Sequence, residues 1–284
     1  MVDPKDEQPQ VERPEEQDDI TAVTSNSDSE PKQPTSLPCR AWSYMLEPVR
    51  ASSFVEFELI FLTFCTGIQD AISFPDYHCF ASNQTGNTVF LMLAIVLPQL
   101  DGDMFITANI GAALGFFLAA GWITGQVGHL VGPRRRIWLI GSNFVQSCLV
   151  FAAAAIQFVY GTEHRGTTAL IAIALLAFAS GSQVVQSRSM KMTEISTAMA
   201  TAAWVDLMID PGMFKTKNRP RTRRVMFLAS LAAGCLVGAA IYRYAGSAVA
   251  ILVSAAGKML VTLMYFFNSS DKPKNTEYEG DDSC

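Results

Sequence analysis

Read for its apolar and polar positions, the chain has a polar start, a long oily middle broken at short intervals, and a polar end. Crossing a hydrocarbon layer of about 30 Å takes about 20 mostly apolar residues in a helix. Such runs fall at approximately 55–74, 79–98, 104–127, 137–160, 168–187, 194–210, 225–245 and 248–267. The pattern predicts an all-α integral membrane protein with about eight hydrophobic segments, six to eight of them true spans, in two similar halves. The second and sixth segments are the weakest because each begins in polar residues. Either can also be read as a half-span that enters and leaves on one side, which requires protein or trapped water to satisfy its backbone.

Composition and charge sharpen this division. Half of the 284 residues are hydrophobic and 17% are charged, with a mean hydropathy of +0.23. Residues 1–36 hold ten acids, three basic residues and five prolines but no aromatic, too little apolar surface to offset the entropy of an ordered chain. The predicted domains are a disordered acidic cytoplasmic tail at 1–50, a helical membrane domain at 51–267 with halves at about 55–160 and 168–267, and a short polar C-terminal tail at 268–284. The pI near 5.3 reflects the tails, because the middle is net basic. No basic start with a short apolar core and a cleavage site precedes the oily part, so insertion is expected to begin at the first span. Six cysteines (39, 65, 79, 148, 235 and 284) show no metal-like spacing, and no metal or other cofactor is expected.

Lysine and arginine bias sets the orientation of a membrane protein. KTKNRPRTRR, Lys215–Arg224, is the strongest basic loop. It is expected in the cytoplasm together with both tails, in a plasma membrane or an endomembrane. The loop abuts a span and has no interleaved aromatics, so anionic lipid headgroups are its expected partner and nucleic acid is not. With eight crossings one loop disagrees, because PRRR, Pro133–Arg136, falls on the opposite side.

An internal repeat is visible. Gly67-Ile68-Gln69 aligns with Gly181-Ser182-Gln183, and Thr85–Leu91 then falls on Thr201–Leu207. Gly111 and Gly115 align with Gly234 and Gly238. An even number of crossings in each half predicts parallel halves related by an axis along the membrane normal.

GIQDAISF, FASNQTGNTVFLML and EISTAMATAAWVDLMIDPGMF, followed by a basic loop and a Gly-rich span, together resemble the YoaK-type family of multi-pass membrane proteins. This is a domain-of-unknown-function family of bacteria and fungi, and the acidic N-terminal tail and the WVDL…DP stretch look most like its fungal members. The resemblance covers roughly residues 50–267 and implies architecture and location, with no activity to carry over. The family's Thr-Gly is replaced by Thr201-Ala202 in the second half.

The candidate chemistry begins where Asn83–Thr88 meets an apolar run. On one reading Asn83, Thr85 or Asn87 simply caps a helix. On another the cap is also a ligand site, because a helix N-terminus inside a membrane offers unpaired N–H donors and a positive dipole end. Gln69 and Asp70 lie one chain reversal earlier and are expected to face this cluster. Charges at depth cost about 2.5–3.5 kcal/mol each at a span centre, and three occur: Asp70, Asp206 and Lys258. The candidate substrate pocket is therefore Gln69, Asp70, Asn83, Thr85, Gly86, Asn87, Asp206 and Lys258, with Lys258 expected to pair with Asp70 between the halves. Interfacial positions for the two acids, and a lysine snorkelling to the headgroups, stay open as simpler readings.

These features favour a small-solute secondary transporter or channel-like carrier with a polar pocket between two repeats. The alternative is a non-transporting sensor or assembly/scaffold protein acting through its tails, where TSNSDSE would be a docking segment; a membrane-embedded lipid enzyme ranks third. HExxH, GxSxG and GxxxxGK[ST] patterns are absent and the three histidines (78, 129, 164) are far apart in sequence, so no enzymatic activity is expected. Gly111/Gly115, Gly121/Gly125 and Gly234/Gly238 have the spacing that lets helices pack closely, within the chain or in a homo-oligomer.

Overall fold

A computed structural model of the chain describes residues 37–190, 192, 195, 200–215 and 217–271. The acidic stretch 1–36, the end at 272–284 and the start of the sixth predicted segment at 196–199 lie outside the described residues. Among the described residues nine α-helices follow one another: α1 (Leu37–Leu46), α2 (Ser53–Tyr77), α3 (Gln84–Val96), α4 (Thr107–Val131), α5 (Arg136–Tyr160), α6 (Thr167–Ser189), α7 (Ala200–Met208), α8 (Arg219–Ala245) and α9 (Ser247–Met264). Six of them, α2, α4, α5, α6, α8 and α9, are long and apolar enough to cross a membrane. The second and sixth predicted segments are the exceptions, forming the 13-residue α3 and the 9-residue α7.

Local chemistry places the ends. Ser52 Oγ accepts from Val55 N to start α2, and His78 closes it in the left-handed region at φ 53°. Asn218 accepts from Arg221 N to start α8, with Pro220 in the first turn, where its missing N–H leaves no gap.

Six crossings bring the basic loops together. Val49 N donates to Arg134 O, Arg136 N to Glu47 O and Arg50 N to Ser269 O, while Arg219 and Arg223 reach Glu56 at 2.8 and 2.5 Å. PRRR and Lys215–Arg224 therefore share one end of the bundle, which removes the disagreement that eight crossings create. Part of the region expected as tail is also built: residues 37–46 are helical, and 47–50 are bridged to Arg135 and Ser270. Arg136 fixes this corner by donating to Tyr44 O, Asn268 O and Ser270 Oγ, with its guanidinium 3.6 Å over the Tyr44 ring.

The halves are inverted, not parallel. Each contains three long helices and one short one, α2–α5 and α6–α9, so α6 runs opposite to α2. α2 and α6 lie innermost, with 61% of each apolar stretch buried against 22% in α4 and α8, and α8 packs on α2 as α4 packs on α6. A Cβ on Gly67 would lie 2.5 Å from Leu231 O, and one on Gly181 2.5 Å from Phe117 O. One shift of 114 residues relates both pairs. The same shift sets Gly234 on Ala120, correcting the alignment of Gly234/Gly238 with Gly111/Gly115. Gly234 and Gly238 press on the α2 backbone, whereas Gly111, Gly115, Gly121 and Gly125 meet nothing within 4 Å.

Candidate functional site

The chain reverses after α2 and runs back along it. Phe80 stacks on Phe74 at 5.0 Å between ring centroids, Ala81 N donates to Ser73 Oγ, and Ser82 N donates to Asp70 Oδ1 at 2.9 Å while Ser82 Oγ donates to Oδ2. These contacts bring the start of α3 two turns back from the end of α2. Asn83 then caps α3 through Gly86 N, and α3 returns to the end it left, where Phe90 stacks on Phe105. Buried Asn87 ties the turn by donating to Phe80 O and accepting from Phe80 N.

α7 approaches from the opposite end. Its C-terminus is held at the basic end, where Arg224 lies 3.5 Å from both Asp206 and Asp210. Asp210 accepts from Gly212 N and Asn218, and the backbone donor holds its carboxyl below the usual range. At the other end, Asp101 accepts from Thr107 N and ion-pairs with Arg165, which lowers its carboxyl for the same leading reason. An anchored acid thus follows each short helix.

The first turns of α3 and α7 line one cavity of about 850 Å³, with Ser82, Asn83, Thr85 and Gly86 on one side and Ala200, Thr201 and Ala202 on the other. Asp70, Val205, Asp206 and Leu231 complete it. At about 1.5 Å per residue, the 13 and 9 residues of the two helices together measure about 33 Å, close to one hydrocarbon thickness. Neither is long enough to cross by itself, and the described starts of both border the cavity.

Of the sequence candidates, Asp70, Asn83, Thr85, Gly86 and Asp206 meet here. Gln69, Asn87 and Lys258 do not. Gln69 faces α9 and donates to Ser254 Oγ at 2.8 Å. Lys258 is fully buried and donates to Gln183 Oε1; the expected pair with Asp70 is not formed, because Asp70 is satisfied by Ser82. Sequence reading also missed a buried amide layer around Lys258. Gln183 donates to Thr66 Oγ1 at 2.9 Å, Asn143 to Lys258 O at 3.0 Å and Gln146 to Gln186 Oε1 at 3.0 Å. Its signal is Asn and Gln at helical spacing, at 143 and 146 in α5 and at 183 and 186 in α6.

Two further polar clusters close the ends. At the basic end, buried Glu58 accepts from Asn268 Nδ2 with both oxygens at 2.9 Å. At the other, Asp76 accepts from Gln157 and Ser247, and the His78 and His164 rings lie 5.5 Å apart. Among the described residues, no group of three His, Cys, Asp or Glu side chains could hold a metal ion.

Residues 59–264 match a family described as "Protein of unknown function (DUF1275)". The chain belongs to that family. The DUF1275 match starts in the first turns of α2 and ends with α9, so it takes in both inverted halves and both short helices. Neither a curated protein nor a solved structure matches this DUF1275 chain. Its integral membrane architecture rests on the six long apolar helices.

Proposed function

We propose that the protein is a small-solute carrier or channel whose solute site is the cavity where α3 and α7 meet. One observation supports this reading: two short helices from opposite ends of the bundle bring their described starts to the same cavity. Discontinuous helices at the interface of inverted repeats supply unpaired backbone groups for a solute at the membrane midplane. The volume lies within the range of small-molecule sites. Hydroxyls of Ser82, Thr85 and Thr201 and the amide of Asn83 offer polar contacts for a non-covalent, non-enzymatic role.

In this reading the end bearing Arg134–Arg136 and Lys215–Arg224 faces the cytoplasm with both tails. Arg219, Arg223 and Arg224 are engaged by Glu56, Asp206 and Asp210 and Arg221 by the Met213 and Lys215 carbonyls, so Lys215 and Lys217 are the charges of that loop offered to anionic headgroups.

The test uses full-length protein in liposomes exposed to a mixed pool of isotope-labelled small polar metabolites, with trapped contents read by mass spectrometry. At least one solute is expected to accumulate well above protein-free vesicles, and Thr201→Trp, which fills the cavity, is expected to abolish the excess. A pool that enters no faster than into protein-free vesicles would refute the carrier reading.

A further inference from the structure

Among the described residues, the charges facing the cavity offset one another. A helix N-terminus carries about half a positive charge, so the facing starts of α3 and α7 contribute about one positive charge between them. Asp70 brings one carboxylate to the same space, fixed there by both Ser82 donors. The other acid lining the cavity, Asp206, is compensated at its rim by Arg224 at 3.5 Å. Among the described residues lining the cavity no other side chain is charged. With helix ends and carboxylate offsetting one another, the cavity offers an ion of either sign no net counter-charge for the hydration it gives up on entering.

Resting on the carrier reading above, we propose that the cavity selects small uncharged polar solutes and that Asp70 sets this selectivity by neutralising the two helix ends. An uncharged solute with hydroxyl or amide groups loses no net Coulomb energy on entering, and it finds both donors and acceptors in Ser82, Asn83, Thr85 and Thr201. An ion of either sign loses its hydration there without a net opposite charge to replace it. Removing the charge of Asp70 leaves the helix ends uncompensated, which turns the cavity into a site for small anions.

The experiment follows osmotic volume changes of proteoliposomes by stopped-flow light scattering, with glycerol and urea as neutral probes, methylammonium as its salt with membrane-permeant thiocyanate as the cation, and potassium nitrate with valinomycin as the anion, so that entry of each ion is charge-balanced. Wild-type protein is expected to speed glycerol or urea entry at least fivefold over protein-free vesicles and to leave both ions at the protein-free rate. Asp70→Asn is expected to raise nitrate entry about tenfold, and Asp70→Glu, which keeps the charge, to hold nitrate at the protein-free rate. Nitrate entry that rises equally in Asp70→Asn and Asp70→Glu would mark a packing effect and overturn the assignment. Wild-type vesicles that pass methylammonium or nitrate as fast as glycerol, or that accumulate labelled metabolites but neither neutral probe, would overturn the selectivity and leave the carrier reading standing. Vesicles that pass no probe and accumulate no metabolite overturn both.

Discussion

At the scale of single residues, Lys258 and Asp70 illustrate two ways of keeping a charge in a membrane domain. Asp70 is stabilised by two donors from one residue of the returning chain. Lys258 is fully buried on Gln183, with no carboxylate among the described residues bonded to it. A buried charge without a counter-ion costs more than an apolar side chain of similar volume. Lys258→Met is therefore expected to stabilise the fold by about 1 kcal/mol or more, seen as a higher thermal unfolding midpoint in detergent. If Lys258 is kept for transport, the same variant loses uptake while gaining stability; a variant that loses stability would show that the lysine is structural. The depth of these charges was legible in the sequence, but their partners were not. Pairing depends on which way each helix face turns, and Gln69 and Asp70, adjacent in sequence, point to different neighbours.

At the scale of helices, glycine spacing alone did not identify the contacts. Gly234 and Gly121 sit in equally small-residue-rich stretches, yet only Gly234 touches another backbone. A methyl group at Gly234 would overlap Phe64 O and must separate α2 from α8. Gly234→Ala is expected to destabilise by about 1–3 kcal/mol, the usual range for overpacking. Gly121→Ala, with open space around it, is expected to leave the unfolding midpoint unchanged or slightly higher, since alanine favours a helix. Equal effects of the two substitutions would contradict the packing of α2 on α8. The short helices were legible to a similar degree. Polar starts marked the second and sixth segments as doubtful spans, but their meeting at a shared cavity depends on chain reversals that leave no periodic signal.

At the scale of the whole molecule, the number of crossings decides what the repeat means. Counting eight spans made the halves parallel and left PRRR on the wrong side; six spans and two half-spans invert the halves and gather Arg134–Arg136 with Lys215–Arg224. Single cysteines placed at Arg135 and Lys217 in a cysteine-free background are expected to react with a membrane-impermeant thiol reagent from the same face of intact cells or oriented vesicles. Labelling from opposite faces would restore the eight-crossing topology. The fold class was readable because hydrophobic length is a local property, whereas the relation between halves is not, since one miscounted segment reverses everything after it. The inversion also constrains ancestry. Because each half has three long helices, a half-length unit copied in tandem starts its second copy on the side where the first ended and so faces the opposite way. The shared half-fold must therefore hold together in both orientations, whichever way its own basic residues would bias it.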